Sequence, residues 1–329
     1  MDDTGSTPLT DASAAAASPT DAQKPRVAVV FGGRSSEHAI SCVTAAGVLQ
    51  AIDRRRYDVV PVGVTQSGRW VLAPDDPSAY RLTGDELPSV PADSAAGVLV
   101  PQSTESRELA VLEPGQVPKL LGTVDVVFPL LHGPYGEDGT VQGMLELTDT
   151  RYVGAGVLSS ALGMDKHYMK LVLAGQGIPI GPYVVVLPRE WASDPAAVAN
   201  SVEALGWPVF VKPARAGSSI GITKVERPED LERAITTAQR HDPKVLVEAA
   251  VVGREIECGV LESLDGGPPE SSLPGEIRVV GGHDFYDFEA KYLDEGNVQL
   301  VCPAELSEDQ TAAVRRLAAR TFDALGCEG

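Results

Sequence analysis

The residue hardest to account for by packing alone is Lys212. It closes an apolar run, Val209-Phe210-Val211, and opens a small-residue loop, Pro213-Ala214-Arg215-Ala216-Gly217-Ser218-Ser219-Ile220-Gly221, that returns at once into Ile222–Val225. A loop of this kind can lay backbone N–H groups over phosphate oxygens while the lysine supplies charge. It is not a helical phosphate loop, because Gly-Lys-Ser/Thr is absent and a strand pattern follows. An ordinary hairpin leaves a lysine in a burial-type strand unexplained. Lys166, in Met164-Asp165-Lys166-His167, lies on a predicted helix entering the same region. The run from Val245 to Glu255 is apolar but broken by Glu248 and Glu255. Its extended backbone can hydrogen-bond an adenine edge, with Glu255 on ribose hydroxyls. The plain alternative for Glu248 is an ion pair with one of the lysines.

Two further segments place carboxylates at strand–helix turns. In Phe31-Gly32-Gly33-Arg34-Ser35-Ser36-Glu37-His38, glycines follow a first strand, where free backbone N–H groups can meet a ligand. The dinucleotide fingerprint fits poorly: its third glycine is missing, and the second strand ends Val62-Gly63-Val64 without an acidic residue. Glu37 can bind a substrate ammonium or merely complement the helix dipole, and the segment alone favours the dipole. His132-Gly133-Pro134-Tyr135-Gly136-Glu137-Asp138-Gly139-Thr140 stands at the C-terminal end of a predicted parallel strand, where open α/β sheets bind ligands. A helix cap for Asp138 and a satisfied turn residue for His132 are the plain alternatives there.

The elements that must hold these groups follow from periodicity. Residues 1–24, rich in Ala, Ser, Thr and Asp, are expected to be a disordered tail. Residues 25–154 read as an α/β unit with a parallel sheet: strands at 26–31, 57–64 and 124–131, and helices from Ser35 or Ser36 and around 140–147. Within it, 73–118 turns rich in Pro, Asp, Glu and Ser and reads as an irregular acidic surface insertion with short β pieces. Residues 155–252 and 253–329 read as α+β, with antiparallel sheets and helices packed on them. Helices are expected at 159–173, 194–205 and 228–240, and strands at 183–187, 208–212, 221–225, 244–248, 255–262 and 276–280.

Composition excludes several classes. The 329 residues carry 27 Lys+Arg against 46 Asp+Glu, a net charge of −19, with no local basic cluster, so a nucleic-acid partner is not expected. No run approaches the ~20 apolar residues of a membrane span. The start, Met1-Asp2-Asp3, is acidic and no apolar stretch of signal-peptide type follows. Cys42, Cys258, Cys302 and Cys327 are too scattered for a zinc or redox motif and are expected to be buried free thiols, so the cytoplasm is the expected location.

Five motifs, in order, resemble the D-alanine–D-alanine ligases of the ATP-grasp superfamily: Gly-Gly-Arg-Ser-Ser-Glu-His, Leu-His-Gly-Pro-Tyr-Gly-Glu-Asp-Gly-Thr-Val-Gln-Gly, Gly-Met-Asp-Lys, Val-Lys-Pro-Ala-Arg-Ala-Gly-Ser-Ser-Ile-Gly, and Phe285-Tyr286-Asp287-Phe288-Glu289-Ala290-Lys291-Tyr292. The resemblance covers about residues 25–329. It implies an N-terminal α/β domain followed by a two-part ATP-grasp fold, and ATP-dependent joining of two D-alanines through an acyl phosphate for peptidoglycan synthesis. It also implies a homodimer.

Carried onto this chain, the resemblance puts Glu37 on the ammonium of the first D-alanine, with His132 near that subsite. Ser218 and Tyr292 would complete a network with Glu37. Lys166, Lys212 and the 216–219 loop, with Gly217 and Ser219, would hold ATP phosphates. Glu248 and Val251 would frame the adenine, Glu255 the ribose, and Lys291 would reach the γ-phosphate from a flap at 283–297. Tyr292 favours a dipeptide product over a D-lactate ester. The family's Mg²⁺ ligands and transition-state arginine are expected beyond Gly329, so the chain as given is expected to lack the last part of the fold and to be nearly inactive. The alternatives are a catalytically dead nucleotide-binding protein and an ATP-grasp ligase for another amino acid.

Overall fold

Arg26–Gly32 (β1) is buried on both faces: Val27, Val29 and Phe31 are at most 5% exposed on one side, and Ala28 and Val30 1% on the other. This explains its unbroken apolar sequence, since a parallel strand covered above and below cannot alternate with polar residues. The computed structural model describes residues 24–82, 86–93, 96–101, 103–280 and 298–329. β1 ends at Gly32 and Gly33, with φ of +90° and +97°. A methyl group at Gly32 would collide with the Val64 carbonyl, so only glycine makes this turn.

The chain then forms His38–Ala51 (α1), Asp58–Val64 (β2), Trp70–Leu72 (β3), Gly97–Leu99 (β4), Glu108–Leu112 (β5), Lys119–Thr123 (β6), Val126–Pro129 (β7) and Thr140–Glu146 (α2). These strands lie in the order β6-β5-β4-β3-β2-β1-β7. Only β1 with β2 and β1 with β7 are parallel; β2 to β6 pair antiparallel in succession. The expected parallel sheet is therefore mixed. The 73–118 stretch is not a surface appendage, because β4 and β5 extend the sheet and Val90, Val98, Leu109 and Val111 are buried. Cys42, Ala45, Ala46 and Leu49 of α1 pack on Val27, Val29 and Phe31, while Val141 and Leu145 of α2 belong to the core on the opposite face.

The second half begins with Val157–Met164 (α3) and Lys166–Gly175 (α4). The single helix expected at 159–173 is two, because Asp165 takes an extended conformation and its carboxylate accepts the His167 and Tyr168 N–H groups, restarting the helix. Next come Tyr183–Val186 (β8), Pro188–Ser193 (α5), Pro195–Glu203 (α6), Val209–Pro213 (β9), Thr223–Val225 (β10), Leu231–Gln239 (α7) and Val245–Ala249 (β11). The sheet order is β10-β9-β11-β8, antiparallel throughout as expected. Its core joins Val209, Val211, Val245 and Val247 to Ile235 of α7.

The remainder comprises Glu255–Glu257 (β12), Val260–Leu261 (β13), Glu270–Ser271 (β14), Gly275–Val279 (β15), Val298–Val301 (β16) and Glu308–Leu325 (α8). The strand expected at 255–262 is divided between an antiparallel three-stranded sheet, β12-β15-β16, and the β13–β14 pair. Ser307 and Gln310 form a capping box at the start of α8. No helix among the described residues is long and apolar enough to cross a membrane. All four cysteines are free, but only Cys42 is buried, so the expectation of buried thiols fails for the other three. Burial pushes the Cys42 thiol up to about 12. Residues 1–23 of the expected tail lie outside the described residues.

Candidate active site

Glu37 occupies the position just before α1 and is 2% exposed, yet its side chain makes no capping bond to that helix. Its Oε1 instead accepts a hydrogen bond from Ser218 Oγ, a residue 181 positions away. A methyl group at Gly133 would collide with Glu37 Oε2, and one at Gly217 would lie 3.0 Å from Oε1. Both glycines thus permit two loops to close on one carboxylate. Ser35 fixes the turn beneath: its Oγ accepts from Glu37 N at 3.1 Å and donates to the His132 carbonyl at 2.6 Å. His38 braces the other side, with Nδ1 2.6 Å from the Gly33 carbonyl and Nε2 3.0 Å from Val90 N. The carbonyl requires the proton on Nδ1, and Nε2 then accepts from Val90.

His132 Nε2 lies 3.0 Å from Thr44 Oγ1, and its residue borders a cleft of ≈ 560 Å³ shared with Glu137, Gln142, Lys166, Ala216 and Gly217. Glu137 Oε2 accepts from Gly133 N at 2.6 Å, and Asp138 accepts from Tyr135 N and Thr140 N. Those two carboxylates therefore shape the loop, and Gly139, with φ +88°, takes the cap position of α2. Lys166 Nζ donates to the Ala216 carbonyl at 2.5 Å. Burial, with Lys212 nearby, holds its ammonium below the usual lysine range.

A second cavity, ≈ 760 Å³, is bordered by the same loop at Ser219 and by Lys212, Glu248, Val251 and Glu255. Five of the residues expected to hold a nucleotide thus share one cavity, while Lys166 and Gly217 border the first cleft. The loop connects the two: Ser218, at φ +48°, points to Glu37, and Ser219, at φ +58°, borders the larger cavity. Two successive non-glycine residues in the left-handed region are strained, and such strain concentrates at ligand sites. Lys291, Tyr292 and the flap expected at 283–297 lie outside the described residues.

Glu248 has two lysine partners, Lys212 Nζ at 2.6 Å and Lys170 Nζ at 3.2 Å. Burial alone would raise its carboxyl, but the lysines outweigh that and hold it below its usual value. The ion pair read as an alternative for Glu248 is therefore present. Lys170 was missed by sequence reasoning; its signal was the four-residue spacing from Lys166, which puts both ammonium groups on one face of α4.

Also unforeseen is Glu276, 5% exposed and bordering the larger cavity, which accepts from Arg254 at 2.6 and 2.7 Å and from Arg278 at 2.9 and 2.7 Å. Arg278 also pairs with Glu305. Arg254 and Arg278 hold the Glu276 carboxyl at about 2, down from 4.5. The folded protein then binds this proton less readily than the unfolded chain, so the stabilisation is complete above pH 4.5 and is lost as pH falls towards 2. Glu276→Gln should abolish that share of the acid dependence. Parallel denaturant titrations at stepped pH check this, and an unchanged wild-type slope in the variant would refute it.

Among the described residues no group of three or more His, Cys, Asp or Glu side chains can hold a metal ion. These residues therefore do not fit Mg²⁺.

Comparison with known proteins gives a consistent result. Residues 26–155 match the family model described as D-ala D-ala ligase N-terminus, and 172–329 the model described as D-ala D-ala ligase C-terminus. A relative from Kineococcus radiotolerans named D-alanine--D-alanine ligase is 65% identical over 310 residues, 93% of this chain and 82% of the relative. The solved VanG D-Ala:D-Ser ligase from Enterococcus faecalis superposes with a TM-score of 0.75 at 31% identity, covering 93% of this chain and 84% of that one. The D-alanine-D-alanine ligase from Coxiella burnetii does so with 0.74 at 30% identity, covering 94% and 79%. The chain belongs to the D-alanine–D-alanine ligase family, ATP-dependent ligases with an α/β ATP-grasp fold.

Proposed function

We propose that the chain binds ATP in the larger cavity and two D-alanines in the cleft beside Glu37, and joins them to D-alanyl-D-alanine for cell-wall precursor synthesis. The observation that carries this reading is the 214–221 loop, which contacts the buried Glu37 through Ser218 and borders the nucleotide-sized cavity through Ser219. Two ligands bound against one short loop are brought near each other, as a reaction between them requires.

In the reaction the carboxylate of the first D-alanine attacks the γ-phosphorus of ATP, the bond to the bridging oxygen breaks, and ADP leaves. The amine of the second D-alanine then attacks the acyl phosphate carbon, loses a proton and expels inorganic phosphate. Negative charge migrates in both steps, and fixed cations with backbone N–H groups serve it best. Glu37 anchors the first ammonium, with His132 bordering that subsite and Ser218 and Tyr292 completing the network. Lys166, Lys212, Gly217 and Ser219 hold phosphates, and Lys291 the γ-phosphate. Glu248 and Val251 frame the adenine, and Glu255 takes the ribose. Desolvation of Lys166 serves this role, since a poorly solvated ammonium gains more from an arriving phosphate than a hydrated one. The same reading carries with it a cytoplasmic homodimer.

The test is a substrate panel. With ATP, Mg²⁺ and D-alanine, dipeptide, ADP and phosphate are expected in equal amounts, with L-alanine inert. Preferential consumption of D-serine or D-lactate as the second substrate would overturn the dipeptide assignment. ATP breakdown without amide formation would overturn the ligase assignment for this chain.

A further inference from the structure

The His241–Lys244 turn borders neither cleft, yet it holds both ends of the phosphate loop. Asp242, 2% exposed, accepts from Arg215 N at 2.9 Å, Arg215 Nε at 2.8 Å and the second guanidinium nitrogen at 2.9 Å. Its other oxygen also accepts from Lys244 N at 3.0 Å. At the far end of the loop, Gly221 lies against the His241 ring so closely that a Cβ there would come within 2.5 Å of it. The turn reaches the first cleft as well. Ala214 N donates to the Lys244 carbonyl at 2.9 Å, Lys166 N to the Ala214 carbonyl at 3.1 Å, and Lys244 Nζ to Asp165 at 2.5 Å. Asp165 caps the helix that Lys166 begins.

We propose that Asp242, through its fork with Arg215, is a positioning residue that sets the loop so that Ser218 meets Glu37 and Ser219 meets the nucleotide cavity, and so couples the two substrate sites. Three arguments support this. The loop contains two residues at positive φ, a conformation that costs free energy and persists only where the surroundings over-determine it. The fork supplies that constraint at Arg215, near the start of the loop, because a planar guanidinium on a carboxylate fixes orientation as well as distance. Burial pushes the Asp242 carboxyl up, but Arg215 and the Lys244 and Arg215 amides hold it below its usual value, so the anchor is charged when the enzyme works.

The identity of the two ligands rests on the ligase reading; the anchoring of the loop does not, and the experiment separates them. Asp242→Asn, Arg215→Met and the double variant are compared in the full-length chain. Dissociation constants for ATP and D-alanine are read by calorimetry, and amide exchange of the loop by mass spectrometry. Each single variant is expected to weaken both ligands by roughly 10- to 100-fold, and the double variant no further, as for two halves of one interaction. Loop amides at 215–221 should exchange at least about 10-fold faster while those of Val209, Val211, Val245 and Val247 stay protected.

A lower melting temperature with both affinities unchanged, exchange accelerated equally in loop and sheet, or losses that multiply in the double variant would each overturn the proposal. Where Asp242→Asn fails to fold, Arg215→Lys decides, because that side chain is 54% exposed and keeps its charge without the fork. It should give intermediate loop exchange and intermediate affinities, and wild-type values for both would refute the role. If the wild type binds neither ATP nor D-alanine, the ligase reading fails, and the loop exchange still tests the anchor.

Discussion

Glu37→Gln is expected to weaken binding of the first D-alanine by between about 30-fold and a few thousand-fold, the cost of removing one partner from a desolvated, hydrogen-bonded charge pair. The amide keeps the shape of the carboxylate and an oxygen for Ser218, so the loop contact survives while the charge opposite the ammonium is lost. The contacts described for the Glu37 side chain, the Ser218 hydroxyl and the close approach of Gly133 and Gly217, include no cation that can compensate. Calorimetry with D-alanine at saturating ATP checks the result. A dissociation constant within about threefold of wild type would remove Glu37 from the ammonium subsite, since a charge-assisted bond is worth more than that.

The second large effect belongs to Lys212. Lys212→Met should reduce ATP affinity by roughly 100-fold or more, because under the proposed function it removes a phosphate cation and at the same time disturbs the carboxylate proposed to lie beside the base. Glu248 keeps Lys170 at 3.2 Å but loses its shorter partner at 2.6 Å. The Lys212–Glu248 pair is mostly withdrawn from water, with side-chain exposures of 23% and 16%. The variant should therefore also lose about 1–3 kcal/mol of stability, less than a fully buried pair left without any partner. Lys212→Met/Glu248→Gln provides the control. It should recover most of the stability and none of the ATP affinity, measured by denaturant titration and calorimetry. Recovery of both would make Lys212 a structural residue only.

How much of this could be read from the sequence depended on the range of the interaction. β1 announces itself because a strand covered on both faces is apolar almost without interruption, and β9 and β11 do so by apolar runs that end in Lys212 and Glu248. β3 and β4, of three residues each, are too short for a period-two pattern to separate them from a polar loop. The break between α3 and α4 turns on one side chain, Asp165, which caps α4 while also pairing with Lys244, 79 residues later and outside any local pattern.

The site divides the same way. Lys212, the loop after it and Glu248 are contiguous enough for their composition to suggest a phosphate-binding chemistry. Glu37 read alone looked like a helix-end charge, because its Ser218 hydrogen-bond partner arrives from the other half of the chain. The partners of Asp242 and Glu276 are set by turn geometry and sheet register, which no short motif encodes.

The stretch between β2 and β7 bears on how the molecule can be altered. Its composition suggests an ornament that could be shortened to make a smaller protein. Yet Val90 within it donates its N–H to His38, and Tyr80 packs edge-on against Phe31 with ring centres 4.7 Å apart. Trimming it would take away a wall behind the turn that presents Glu37, so a minimal version of this enzyme has to keep the acidic stretch as scaffolding for that buried carboxylate.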